Sequence, residues 1–150
     1  MLDPSHLFLL AWAGLNFWGL GQIWFRQVVI YPLFGHVGAS EFAAYSRAYG
    51  RRIPLPVIVP GFARFLLPVP LALLGPTVLL WMSAVNVGAG LVGLLVTVGL
   101  EIPREVRRGL DGKNDAVIRE LVRFNWLRPL SFTTSAAVTM AMLMHVFGTP

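Results

Sequence analysis

Three runs of this chain carry no charged side chain: Pro4 to Phe25, Phe65 to Leu100 and Pro129 to Pro150. A helix on the surface of a soluble protein needs a polar face toward water, and these runs have none. Each is long enough to cross a ~30 Å hydrocarbon core, which takes about 20 residues of helix. Only 13% of the 150 residues are charged, where a soluble domain has about 25%. The pattern predicts an integral membrane protein of one domain spanning residues 1–150, with four spans near 6–34, 54–74, 77–102 and 125–147.

Local signals set these boundaries. Ser5 is the expected N-cap of the first span, and Pro32 and Gly35 mark its end. The second span holds Pro54, Pro56, Pro60, Pro68 and Pro70, a density that predicts a kinked or locally unwound helix. Gly75-Pro76 is a turn signal, and Pro103 is expected to stop the third span. The fourth begins near Asn125, with Pro129 in its first turns. Asp3 stands where a signal peptide would carry a basic residue, and no small-residue cleavage site follows, so the first apolar stretch reads as a retained span.

Two basic connectors separate the spans. In the first, Ser40 is the expected cap of a short helix to Tyr49 that puts Phe42, Tyr45 and Tyr49 on one face. That helix either lies in the membrane interface or packs on the bundle. In the second, Asp111-Gly112 is a turn signal and Asn114 the expected cap of another helix. All twelve Lys and Arg lie in these connectors or the adjoining helix segments. The positive-inside rule then predicts cytoplasmic connectors, both termini outside, and an inner-membrane, multi-pass protein. The same placement argues against nucleic acid as a partner despite the net charge of +5, because a nucleic-acid module gathers its basic residues on a soluble face. The chain has no cysteine, which excludes disulfides, thiolate ligation and cysteine nucleophiles.

Polar residues inside the spans are the candidates for function. Arg64 lies ten residues past Pro54, ~15 Å deep in a regular helix. An arginine at that depth costs ~2.5–3.5 kcal/mol on insertion scales and calls for a partner or a watery cavity. Glu101, the acid at the end of the third span, is the expected partner, with Arg26 competing for it. Gln22 lies one turn before Arg26, and Asn125 and Arg128 sit three apart at the mouth of the last span, with Ser131 and Ser135 continuing their stripe. Together these residues predict an electropositive intramembrane pocket for an anion, a lipid head group or an enolate. Glu101, Arg64 and Arg26 are the catalytic candidates. Gln22, Trp18, Trp24, Asn86, Asn125 and Arg128 are the substrate-binding candidates. The plainer alternative is interhelical glue, with Arg26 and Arg128 snorkelling to phosphates. Asn16 and Asn86 suit helix–helix hydrogen bonds, and Gly88, Ala89, Gly90 and Gly93 suit close packing. His6 and His145 fall at the outer helix ends but lack metal-ligand spacing, so neither a metal nor any other cofactor is implied. No phosphate loop, nucleophile elbow or metalloprotease motif is present.

The run from Trp24 to Phe34, the aromatic connector with Phe42, Tyr45, Tyr49 and Arg52, the pair Ile102-Pro103 and the stretch Asn125 to Arg128 resemble the marks of a broad group of small four-helix bacterial membrane proteins. That group is distantly similar to the anthrone-oxygenase-like membrane family, which oxidises polycyclic aromatic polyketides. In the group a histidine often stands two positions after the proline that follows the third helix; here that residue is Glu105. The resemblance implies an all-α, four-helix transmembrane bundle with two short connecting helices at the cytoplasmic interface. It also implies an enzyme that oxygenates an anthrone-type hydrophobic small molecule; the polar residues equally suit an enzyme that cyclises a lipophilic precursor by acid/base chemistry, with Glu101 handling the proton and Arg64 and Arg26 stabilising an oxyanion. A non-catalytic subunit of a membrane complex, a homo-oligomer among them, and a carrier or sensor for an anionic lipophile stay open beside it.

Overall fold

The computed structural model describes residues 3–110 and 112–148. Among these the chain is all helical, with no strand. The helices are α1 (Pro4–Phe34), α2 (Ala39–Arg52), α3 (Pro54–Leu66), α4 (Pro68–Leu74), α5 (Leu80–Gly109) and α6 (Asp115–Phe147). Three of them, α1, α5 and α6, are long and apolar enough to cross a membrane. The pair α3–α4, bent by 45° at Leu67, makes a fourth if it is taken as one broken span.

α6 packs along both α1 and α5, and α3–α4 closes the ring between α5 and α1. The helices are inverted relative to those of a soluble protein. α6 turns Arg128, Ser131, Ser135 and Thr139 inward, while Leu130, Met140 and Met144 face out. α5 buries Asn86, Thr97 and Glu101 and leaves Leu80 84% exposed. An apolar outside and a polar seam inside suit hydrocarbon rather than water.

Three of the prolines that stand inside these helices without ending them are accommodated by the same device. The turns Arg26–Ile30, Pro54–Ile58 and Thr97–Glu101 are π-helical. Each closes with an N–H reaching five residues back: Tyr31 to Arg26, Val59 to Pro54 and Ile102 to Thr97. The next residue is Pro32, Pro60 or Pro103. A proline ring clashes with the carbonyl four residues earlier and supplies no N–H, and a widened turn just before it relieves that clash. Pro103 is therefore not the helix stop expected of it, and α5 runs on to Gly109.

Other boundaries differ in detail. Asp3, not Ser5, is the N-cap of α1, its carboxylate accepting from the Ser5 N–H at 3.1 Å with Pro4 in the first turn. The third span begins at Leu80 rather than Thr77. Gly38 precedes α2, so Ser40 lies inside that helix, which continues to Arg52. Phe42, Tyr45 and Tyr49 surround Phe34 with ring centroids 6.5, 5.7 and 5.1 Å away, so α2 packs on the end of α1. Asn114 caps the start of α6 as expected, accepting from the Ala116 and Val117 N–H groups. Gly112 has φ +70, the left-handed turn conformation that favours glycine; Asp111 lies outside the described residues.

Candidate functional site

Two polar assemblies lie one above the other inside the ring. The first is at mid-depth. Arg64 is 1% exposed and its Nε donates to Asn16 Oδ1 at 2.8 Å. Its guanidinium lies over the Phe132 ring, 3.4 Å from the centroid. Asn16 Nδ2 donates to Ser135 Oγ and Thr139 Oγ1, and Trp12 Nε1 donates to Thr139. Ser135 Oγ donates to Asn86 Oδ1 at 2.6 Å. Asn86 is thus interhelical glue rather than a ligand contact. Beyond this ladder, Leu9, Trp12, Leu71, Met82, Val138 and Met142 form an apolar plug.

The expected Arg64–Glu101 pair does not form. Among the described residues the ion pairs are Arg26–Glu105, Arg108–Glu105 and Arg104–Glu120, so Arg26 does not pair with Glu101 either. Arg64 sits instead at the depth where α1 presents Asn16, and it takes that amide oxygen.

The second assembly occupies the end that carries the basic connectors. Glu105 joins Arg26 Nη2 at 3.0 Å and Arg108 Nη2 at 2.7 Å, and Arg108 Nη1 donates to Ser46. Arg128 Nη1 donates to Asn125 Oδ1, and Asn125 Nδ2 donates to Gln27 Oε1, so a buried amide chain fixes the arginine. Asn125 is a positioning residue: it aims Arg128. Glu101 is 2% exposed and receives only a long 3.5 Å contact from the Tyr31 hydroxyl.

A cavity of about 370 Å³ opens against this assembly. Its polar end holds Arg26, Tyr31, Tyr49, Glu101, Glu105 and Arg128. Its other wall is apolar, from Val57, Phe62 and Phe65 to the exposed Ile58, Ile102 and Val106, which frame a sideways mouth between α3 and α5. The size and the few convergent polar groups are those of a small-molecule site. Six buried polar side-chain atoms have no hydrogen-bond partner among the described residues, and four belong to lining residues: Arg26 Nε, Tyr49 Oη, Glu101 Oε1 and Arg128 Nε. Buried polar groups are nearly always paired, so four unpaired atoms on residues that line one cavity set this end of the ring apart from the rest. Burial raises the Tyr49 hydroxyl's pKa above its ordinary value, which keeps it a donor at neutral pH.

The structure thus brings Arg26, Glu101 and Arg128 to one cavity. Gln22 and Trp18 line a smaller void of about 20 Å³ beside it, which Arg26 and Arg128 also border. Trp24 is not at the site: its Nε1 donates to Thr133, and its ring packs edge-on against Trp126 at 5.7 Å. Arg64 lines neither space. Tyr31, Tyr49, Glu105 and Arg108 also line the cavity and were not among the site candidates; of these, the sequence marks Tyr49 as part of the aromatic connector and Glu105 as standing where the resembling group often has a histidine. At the opposite end, His6 and His145 border a shallow depression with Asp3, and no group of three metal-ligating side chains forms among the described residues.

Comparison with protein-family models, with curated proteins and with solved structures found no match.

Proposed function

We propose that this chain is a multi-pass membrane enzyme that moves a proton on a hydrophobic small molecule entering sideways from the bilayer. In this reading the ring of helices is a four-helix transmembrane bundle in the inner membrane. The basic connectors are cytoplasmic and both termini outside, as their arginines favour. The observation that carries the function is the cavity itself, which joins an apolar wall to a polar end of unpartnered donors and acceptors.

Glu101 takes a proton from an acidic C–H or O–H of the substrate. Arg26 and Arg128, with Tyr49, stabilise the enolate or phenolate oxygen that results. Returning the proton to another atom of the same molecule completes an isomerisation or cyclisation with atoms and electrons balanced. The oxygenation suggested by the family resemblance shares the deprotonation and would need dioxygen as co-reactant. Arg64, first considered catalytic, is assigned to structure, and Arg128 takes its place at the oxyanion. The sideways mouth also favours a second reading, a carrier for an anionic lipophile. A scaffold without a ligand leaves the cavity unexplained.

Glu101→Gln tests the proposal, because it keeps the shape and removes the base. Native mass spectrometry of wild type and variant should show one bound organic molecule. That molecule, incubated with wild-type protein in D2O, should gain deuterium or rearrange, and about 100–10,000-fold more slowly with the variant. Equal rates with both proteins refute the enzyme and leave the carrier. Absence of any ligand refutes both.

A further inference from the structure

An open groove of about 620 Å³ runs between the end of α1 and the first turns of α6, and it shares no residue with the main cavity. Its α6 wall carries Arg119, Val122, Arg123 and Trp126, at i, i+3, i+4 and i+7 and so on one helical face. Pro32 and His36 form the opposite wall, with His36 Nδ1 3.2 Å from the Pro32 carbonyl oxygen. The residues are graded along the helix. Arg119 and Arg123 are exposed, Trp126 is exposed below them, and the outward face beyond it carries Leu130 and Met140 and no charge. Along a regular helix Arg123 stands ~4.5 Å and Arg119 ~10.5 Å from Trp126. The headgroup layer of a bilayer is about 5–7 Å deep on each side, and tryptophan rings settle in that layer. With Trp126 there, the two guanidinium groups stand at the level of lipid phosphates.

The groove gathers positive charge. Asp115 is the one acid that lines it, and no ion pair joins Asp115 to Arg119 or Arg123 among the described residues. Glu120, the next acid on α6, is engaged by Arg104 at 3.1 Å. Lys113 adds a further charge at the rim, its Nζ donating to the Gly35 carbonyl at 2.9 Å. Two arginines and a lysine thus stand against one carboxylate, whereas Arg26, Arg104 and Arg108 each have an acid of their own. A soluble anion would use the charges alone. The apolar part of the groove, Val122 and the Trp126 ring with Pro32 opposite, suits an anion that carries a hydrocarbon tail. Basic pockets between helices at a membrane surface are sites for anionic lipid headgroups.

We propose that this groove holds one anionic phospholipid of the surrounding bilayer, its phosphate at Arg119 and Arg123 and an acyl chain passing Val122 and Trp126 onto the apolar face of α6. The proposal rests on the membrane placement of the helices and not on the enzymatic reading, since groove and cavity have no lining residue in common.

For the test, the full chain purified in detergent is incubated with equal amounts of phosphatidylglycerol and phosphatidylcholine. Excess lipid is removed and the retained lipids are quantified by mass spectrometry. Each basic residue near an anionic headgroup favours it by about fivefold, so two arginines, offset in part by Asp115, should enrich phosphatidylglycerol by about 5–25-fold. Arg119→Gln together with Arg123→Gln should bring the enrichment below about twofold. Arg47→Gln together with Arg51→Gln, both exposed on α2 and outside the groove, should leave it unchanged. Equal retention of the two lipids by wild type overturns the proposal. So does an equal loss in both double variants, which marks diffuse attraction instead of a site. Glycerol phosphate in excess should not displace the lipid; displacement assigns the groove to a soluble anion and overturns the lipid. Both groove arginines are exposed, so their variant should keep the wild-type circular dichroism. Should it not fold, wild type alone decides: the enrichment should fall below about twofold in ~1 M sodium chloride, where charges are screened beyond ~3 Å. An enrichment that ignores salt overturns the proposal.

Discussion

Arg64 should be energetically coupled to Asn16 and not to Glu101. The Nε–Oδ1 contact is 2.8 Å long, and the two residues are 1% and 0% exposed. Hydrogen bonds to charged groups contribute about 1.5–3 kcal/mol. Asn16→Leu leaves the guanidinium with only the Phe132 face, so its cost belongs with broken buried ion pairs, about 3–5 kcal/mol. Arg64→Met loses the same bond and the contact with the ring, worth up to about 2 kcal/mol, but also removes the buried charge. Its net cost is therefore smaller, about 1–3 kcal/mol. The double variant should cost less than the sum of the two by about 1.5–3 kcal/mol, the worth of the shared bond. Ser135 and Thr139 temper the loss, since Ser135 still donates to Asn86 and Thr139 still accepts from Trp12.

The assay is equilibrium unfolding in micelles, followed by helical circular dichroism, for the four members of the cycle. A parallel cycle with Arg64→Met and Glu101→Gln is the control. No contact joins that pair, so its effects should add within about 0.5 kcal/mol. Additivity in the Asn16 cycle, or a larger coupling in the Glu101 cycle, would refute the placement of Arg64.

Three further outcomes follow from the packing. Gly90→Ala should destabilise by about 1–3 kcal/mol, because its Cβ would stand 2.8 Å from the Phe65 carbonyl oxygen, whereas Gly88→Ala meets nothing within 4 Å and should change unfolding by no more than about 0.5 kcal/mol. Pro103→Ala removes the reason for the widened Thr97–Glu101 turn, so the thermal midpoint should hold or rise while ligand retention and turnover fall at least about tenfold as Glu101 swings away from the cavity. The chain has no cysteine, so single cysteines at the exposed Thr77, Ser40 and Ala116 can be labelled cleanly. An impermeant maleimide should reach Thr77→Cys from one side of sealed vesicles and the other two from the opposite side, and labelling of all three from one side would sink the topology.

What was legible in the sequence was whatever depends on composition along one dimension. The charge-free runs located the apolar helices, because hydrophobic length reads directly from the chain. The prolines before Leu74 announced the bend between α3 and α4. Pro103 misled, since a proline reads as a stop unless the preceding turn can widen, and a change in backbone register leaves no mark in residue type. Pairing failed for a related reason. Depth along a helix follows from counting, but the direction a side chain takes around the axis depends on how each helix is rotated against its neighbours. Arg64 and Glu101 were both recognised as charges needing an explanation, yet only the rotation of α1 shows that Asn16 meets the first of them. Glu105 stood out only as occupying the position where the resembling group often has a histidine, with nothing to say which arginines it meets. Only the continuation of α5 past Pro103 brings it inward to hold Arg26 and Arg108.

The three widened turns explain why those residues meet at a cavity at all. Arg26, Thr97 and Glu101 are members of π-helical turns, and Val57 and Ile58 belong to the third. All five line the same space. A regular helix presents each inward side chain about 100° after the last, which favours tight interdigitation. A π-turn inserts one residue, shifts the phase of everything beyond it and spreads the backbone locally. Three such turns at the same end of the ring hold the helices from closing on one another there. At mid-depth, where the turns are regular, Asn16, Asn86, Ser135 and Thr139 meet directly. The prolines that follow the widened turns keep the spacing from relaxing back, since a regular turn would force their rings onto a carbonyl. The side chains of Arg26, Glu101 and Arg128 are then held around one space by the backbone itself rather than drawn onto each other.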